Sequence, residues 1–109
     1  MFSSGILAFL LTDIQGSTKL WENDAQQMQI ALKLHDEVMR GAASIHNGHV
    51  FKTMGDAFFI AFQNVDSALS ASIQIQNKLS SMSWPTQQPI KVRMVLHCGY
   101  VDVVEGESI

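Results

Sequence analysis

A sequence of 109 residues suffices for one domain with a buried core, and 47% hydrophobic with 16% charged residues excludes a disordered chain. The net charge of −3 at pH 7 excludes a broad basic surface for nucleic acid or anionic lipid, so a bound polyanion would need metal ions or local cations. Because Cys98 is the single cysteine, the chain has no internal disulfide, and Cys98 is expected to be buried. The sequence has no signal-peptide pattern and no apolar run long enough to span a membrane, so we expect a cytoplasmic protein without a membrane segment.

The first predicted element is a strand over residues 6–12, an uninterrupted apolar run of the kind that occupies the middle of a sheet. The run ends at Asp13, and a turn containing Gly16 follows. A short helix is predicted over residues 17–23. A carboxylate at the end of a strand, with the free N–H groups of a helix start beyond it, is suited to hold a cation beside a phosphate.

A long helix is predicted to begin after Asp24. Asp24 has the position of an N-cap, and Gln27 three residues later has the position of a capping-box partner. Residues expected on one face of this helix recur at intervals of three and four, namely Met28, Ala31, His35, Val38, Ala42 and Ile45. The helix is predicted to end at Asn47-Gly48, with the glycine in the left-handed cap conformation.

The second half of the chain predicts a hairpin, a helix and a further strand. In order, these are strands over residues 49–53 and 57–62, a helix over 65–80 and a strand over 90–96. The turn around Gly55 is short enough for a tight hairpin, and Asn64 is expected to cap the helix. Extended residues are expected again over 100–104, followed by a turn at Glu105-Gly106.

The predicted element order is β-α-β-β-α-β with one extra helical turn, which indicates an α+β fold of the ferredoxin-like type. The expected sheet is antiparallel in the order 4-1-3-2, with the helices on one face. The end of strand 1 then meets the start of strand 3, so Asp13 and Asp56 should lie at the same edge. Lys52, across the hairpin, is expected at the same end of the sheet.

Two carboxylates at one sheet edge predict a site for divalent cations, Mg²⁺ or Mn²⁺, because close carboxylates repel unless protons or cations bridge them. Two such ions can activate an attacking oxygen and stabilise a leaving one. The turn at Gly16, Ser17 and Thr18 adds backbone N–H groups suited to a phosphate chain. Either aspartate alone is typical of an ordinary solvated turn, so the metal-site interpretation depends on their convergence.

Three sequence blocks carry a family resemblance: FLLTDIQGST at residues 9–18, GHVFKTMGDAFFIAF at 48–62 and HCG at 97–99. Their order and spacing resemble the class III adenylate/guanylate cyclase catalytic domain, and GSTKLWE at 16–22 is similar to a bacterial branch of that family. The resemblance covers nearly the whole chain. It implies formation of cyclic AMP and pyrophosphate from ATP, with GTP as a possible substrate, at the interface of a homodimer.

The resemblance also implies roles for individual residues. Asp13 and Asp56 would bind the two metal ions, helped by the backbone carbonyl of Ile14. The turn at residues 16–18 would hold the triphosphate. Lys52 would contact the purine base in the site whose metals belong to the other subunit, and a lysine there favours ATP over GTP.

Members of this family continue past the third block, where they supply a second base-reading residue and an Asn-x-x-x-Arg helix that steadies the ribose and the transition state. No Asn-x-x-x-Arg sequence occurs within residues 1–109, and neither Arg40 nor Arg93 stands in that context. We therefore expect residues 1–109 to be the N-terminal portion of a cyclase catalytic domain, inactive by themselves. The alternative is a non-catalytic cyclase-like domain that binds nucleotide or serves in regulation.

Overall fold

The computed structural model describes residues 2–104, whose elements follow the order β-α-α-β-β-α-β. They are β1 (Gly5–Ile14), α1 (Ser17–Asn23), α2 (Ala25–Ile45), β2 (His49–Met54), β3 (Ala57–Phe62), α3 (Val65–Ser81) and β4 (Val92–Val101). This order confirms the predicted α+β fold, with α1 as the extra helical turn. Within residues 2–104, no helix combines the length and the apolar composition that crossing a bilayer requires.

The strands form an antiparallel sheet in the order β2-β3-β1-β4, as predicted. β1 lies between β3 and β4, which explains its continuous apolar sequence, since Leu7 and Leu10 are both fully buried. The register pairs Leu11 with Phe59 on β3 and Asp13 with Arg93 on β4. The side chains of these two pairs therefore share one face of the sheet.

The other face of the sheet carries the hydrophobic core beneath α2 and α3. Its strand residues alternate with a period of two: Ala8, Leu10 and Ile14 on β1, and Phe58, Ile60 and Phe62 on β3. Its helix residues are spaced by three and four: Met28, Ala31, Met39 and Ala42 on α2, and Ala68, Ala71, Ile75 and Leu79 on α3. This core fixes β1 and β3 side by side, so the positions of their ends are set by packing.

The two ends of α2 differ in how well the sequence predicts them. Asp24 is the N-cap, and its side chain accepts a hydrogen bond of 3.1 Å from the backbone N–H of Gln27, as predicted. The predicted left-handed glycine is wrong, because Asn47 holds that conformation with a φ of 57°. Gly48 is needed for close packing instead, since a Cβ there would lie 2.6 Å from Cε1 of Phe62.

β4 is longer than the sequence predicts. It continues without a break to Val101, whereas the prediction placed its end at Leu96. Cys98 is exposed, so the prediction that it is buried is wrong. The reason is that β4 is an outer strand of the described sheet and its distal half, including Tyr100 at 67% exposure, lies outside the core. The predicted turn at Glu105-Gly106 falls outside the described residues.

Candidate functional site

The candidate site lies where β1 ends and the turn before β3 begins. The backbone N–H of Ile14 donates a hydrogen bond to Oδ1 of Asp56, with an N–O distance of 3.2 Å. Ile14 follows Asp13 directly, so this bond places the Asp56 carboxylate beside the end of β1. Gly55, with a φ of 59°, shapes the hairpin turn that brings Asp56 to this position.

Asp13 is held from the other side by Arg93 on β4. Nε of Arg93 donates to Oδ1 of Asp13 at 2.9 Å, and Nη2 donates to Oδ2 at 2.8 Å, which makes a bidentate pair. The hydrogen bond and charge of Asp13, with a smaller effect from the charge of Asp56, raise the pKa of Arg93 above its ordinary value. The guanidinium therefore lies within the electrostatic influence of both carboxylates.

The position of Arg93 was missed by sequence reasoning, which set it aside for lacking an Asn-x-x-x-Arg context. Within residues 2–104, Arg93 is the basic side chain that forms an ion pair with a carboxylate of the site, and its partner is Asp13. The sequence does indicate which face Arg93 occupies, because side chains alternate along β4 and Val92, its neighbour, is buried on the other face. The missing part was the register, which sets Arg93 directly across from Asp13.

The oxygen atoms at this edge are only partly free. Arg93 occupies both oxygens of Asp13, and the Ile14 N–H occupies Oδ1 of Asp56, whereas Oδ2 of Asp56 has no hydrogen bond to the described residues. In that same part of the chain, no third His, Cys, Asp or Glu joins the two aspartates to form a metal-binding group. A cation would therefore need further ligands from the Ile14 carbonyl, water or phosphate, all of which Mg²⁺ accepts.

The turn expected to hold phosphate joins β1 to α1. Gly16 is the N-cap of α1 and has a φ of 66°, a conformation that glycine adopts without strain. Ser17 and Thr18 lie in the first helical turn, so their backbone N–H groups have no acceptor within the helix. Lys19 and Lys91 line an open cleft of about 420 Å³ beside Gly16, which adds local positive charge to an acidic protein.

Lys52 forms no ion pair with either carboxylate within residues 2–104. Its register partner on β3 is Phe59, and its Nζ lies 5.5 Å from the centre of the Phe59 ring. β3 separates β2 from β1, which puts Lys52 roughly 10 Å from the Asp13 strand. The structure thus brings Asp13, Ile14 and Asp56 together and leaves Lys52 exposed on an outer strand.

Comparison with known sequences gives a consistent set of matches. The family model described as "Adenylate and Guanylate cyclase catalytic domain" matches residues 3–106. An adenylate cyclase of Neurospora crassa is 43% identical over 84 residues, covering 77% of this chain and 4% of that protein. A receptor-type adenylate cyclase B of Leishmania donovani is 37% identical over 81 residues, covering 74% of this chain and 6% of that protein. Such fungal and trypanosomal relatives give no support to the predicted bacterial branch.

Solved structures show the same fold. An adenylate cyclase structure from Trypanosoma brucei superposes with a TM-score of 0.86 at 21% identity, covering 94% of this chain and 60% of that chain. The guanylate cyclase domain from Catenaria anguillulae, solved in complex with GTP, gives a TM-score of 0.77 at 18% identity and covers 89% of this chain and 58% of that chain. This chain therefore spans about three fifths of these solved chains.

Proposed function

Because this chain belongs to the adenylate and guanylate cyclase catalytic domain family, we propose that it carries the metal-binding part of an enzyme that converts ATP to cyclic AMP and pyrophosphate. The observation that carries the proposal is the hydrogen bond from the Ile14 N–H to Asp56, which brings a second carboxylate beside Asp13. The relatives named adenylate cyclase support ATP as the substrate.

In this proposal Asp13, Asp56 and the carbonyl of Ile14 hold two divalent ions, Mg²⁺ or Mn²⁺. The fit is supported by the donor atoms, all of them oxygen, and by Oδ2 of Asp56, which is free of hydrogen bonds to the described residues. The bound ions would lower the pKa of the ATP 3′-hydroxyl and offset the charge of the triphosphate. The protein contributes orientation, because β1 and β3 are adjacent strands fixed by a common core.

The triphosphate is proposed to lie against the turn at the start of α1. Gly16 leaves open space above its Cα, since a Cβ built there would meet nothing within 4 Å. The backbone N–H groups of Ser17 and Thr18 can donate to phosphate oxygens, as helix starts commonly do. Lys19 and Lys91 beside the cleft supply the local cations that the overall negative charge requires.

We propose that the complete site forms between two copies of the chain. Lys52 is exposed on an outer strand and forms no ion pair with Asp13 or Asp56 within residues 2–104, so it is available to a second subunit. Its proposed role is to contact the purine base of ATP bound to the metal ions of that second subunit. GTP remains the alternative substrate, since a similar solved cyclase domain was crystallised with GTP.

Calorimetry with Mn²⁺ and a non-hydrolysable ATP analogue tests the metal-site proposal. Asp13→Asn and Asp56→Asn should each weaken analogue binding by about tenfold or more, because each removes a charged metal ligand while keeping the side chain's size. Asp66→Asn is the matched control, because it removes the same charge at the start of α3, beyond the other end of β3. Equal binding by all four proteins would contradict the proposal.

A second candidate is a domain that binds nucleotide without turnover. The observation that favours it is that both carboxylate oxygens of Asp13 accept hydrogen bonds from Arg93. The sequence also lacks an Asn-x-x-x-Arg segment within its 109 residues, and an arginine at a phosphoryl transition state is worth several orders of magnitude in rate. On either candidate we propose that this chain alone forms no cyclic AMP from Mn²⁺ and ATP, and chromatographic detection of that product would overturn the proposal.

A further inference from the structure

Arg93 occupies the atoms that a cation would need at Asp13. Resting on the metal site proposed above, we propose that Arg93 is a positioning residue that competes with divalent cations for the Asp13 carboxylate. Its guanidinium holds Asp13 through both oxygens, at 2.9 and 2.8 Å. Each Asp13 oxygen keeps a second lone pair, so a cation either displaces one of these hydrogen bonds or binds beside the guanidinium, whose positive charge repels it.

The competition follows from the register of β1 and β4. Asp13 and Arg93 are directly paired across the ladder and lie on the same face of the sheet. The planar fork of arginine matches the two oxygens of a carboxylate, so the pair leaves no oxygen of Asp13 without a hydrogen bond. A lysine at the same position would keep the charge but would lack this fork.

The ion pair between Arg93 and Asp13 can also break readily. The Arg93 side chain is 64% exposed and the Asp13 side chain 43%, so water competes for both partners and the net stability of the pair is small. A released guanidinium can turn into solvent without leaving a buried charge. Arg93 therefore raises the cation concentration needed to fill the site without excluding the cation from it.

The competition acts on one of the two carboxylates. Asp56 is fixed by the Ile14 N–H through Oδ1 alone, and its Oδ2 accepts no hydrogen bond from the described residues. Because this oxygen is free, a first cation is expected to contact Asp56 before it displaces Arg93 from Asp13. The charge of Asp56 also contributes to the electrostatic environment of Arg93.

The test is a calorimetric titration of the full 109-residue chain with Mn²⁺ alone, at low ionic strength. We expect Arg93→Gln to tighten Mn²⁺ binding by roughly two- to fivefold, the range for losing one exposed ion pair. Arg93→Lys should fall between Arg93→Gln and the wild type. Lys78→Gln is the matched control, because it removes the same charge in the last turn of α3, which packs on the face of the sheet opposite to Asp13. Circular dichroism checks that each variant is folded.

A second readout follows Arg93 itself. In the wild-type protein, the NMR signal of the Arg93 Nε–H should shift and saturate as diamagnetic Mg²⁺ is added, in step with calorimetric binding. In Asp13→Asn, the starting shift should already differ from that of the wild type, and Mg²⁺ should move it little. A signal that does not move while Mg²⁺ binds to the wild type would overturn the proposal.

The outcomes separate this proposal from the one on which it rests. Mn²⁺ binding that needs Asp13 and is unchanged by Arg93→Gln would overturn the competition and leave the metal site standing. An equal gain from Lys78→Gln and Arg93→Gln, with Arg93→Lys like the wild type, would also overturn it, since net charge alone would then explain the effect. Absence of Mn²⁺ binding in every protein would overturn both proposals.

Discussion

Asp56 combines a structural contact with its proposed role as a metal ligand. Its Oδ1 accepts the N–H of Ile14, a residue that is only 2% exposed. A buried N–H that loses its acceptor is costly, because water cannot easily replace it. Loss of cation binding in an Asp56 variant therefore needs to be separated from loss of stability.

Two substitutions at Asp56 make this separation. Asp56→Ala removes the acceptor and should lower the free energy of unfolding by about 1–3 kcal/mol. Asp56→Asn keeps an oxygen that can accept from Ile14 and should cost less, while both variants lose cation binding. Urea unfolding monitored by circular dichroism measures the difference. The structural role would be refuted if Asp56→Ala were as stable as the wild type.

The residues of the site were not equally predictable. Asp13 and Asp56 follow from topology, because the end of the first strand and the start of the third must meet in a 4-1-3-2 sheet. Arg93 did not follow, since a contact across a ladder depends on a register that periodicity does not supply. The role of the turn at residues 16–18 stays a prediction, as does that of Lys52.

At the scale of elements, the connection from α2 to β2 depends on two adjacent residues with different tasks. Asn47 takes the left-handed conformation, which its short polar side chain tolerates. Gly48 then passes so close to β3 that a Cβ would lie 2.6 Å from Phe62 and 2.9 Å from Ile60. The sequence identified this Asn-Gly pair as a helix end but assigned the left-handed conformation to the wrong member, because tertiary packing decided it.

A pair of glycine-to-alanine changes tests this account. Gly48→Ala should destabilise the fold by about 1–3 kcal/mol, because Phe62 is fully buried and has no room to move away. Gly41→Ala, on the exposed side of α2 with open space around it, should stabilise the helix by up to about 1 kcal/mol. Thermal unfolding should therefore shift in opposite directions for the two variants. Shifts of the same sign would contradict the packing account of Gly48.

At the scale of the whole molecule, the sequence predicted the strand order and the layer of helices correctly. Element order and right-handed connections leave few alternatives for a β-α-β-β-α-β chain. The extent of β4 was not predictable in the same way, because alternation shows which residues share a face but not whether anything covers that face. This is why Cys98 is exposed although it was expected to be buried, and why Tyr100 nearby is exposed as well.

The proposed site between two subunits predicts complementation between different variants. Lys52→Ala should weaken binding of the Mn²⁺–ATP analogue by about tenfold through loss of one charge-assisted hydrogen bond, and should leave binding of Mn²⁺ alone unchanged. An equimolar mixture of Lys52→Ala and Asp13→Asn chains should restore tight binding at about a quarter of the sites, since half of randomly paired dimers are mixed and each has one intact site of two. Each variant alone is the control. Failure of the mixture to recover any tight binding would indicate that the site lies within one chain.

The most direct measurement is the anomalous scattering of Mn²⁺ in crystals of the chain grown or soaked with that ion. We expect a manganese peak coordinated by Asp13 and Asp56, with the Ile14 carbonyl nearby and the Arg93 guanidinium moved away from Asp13. The same experiment on Asp13→Asn should show a weakened or absent peak at this edge. Manganese bound elsewhere, with the Arg93–Asp13 pair intact and no peak between the two aspartates, would contradict the proposed metal site.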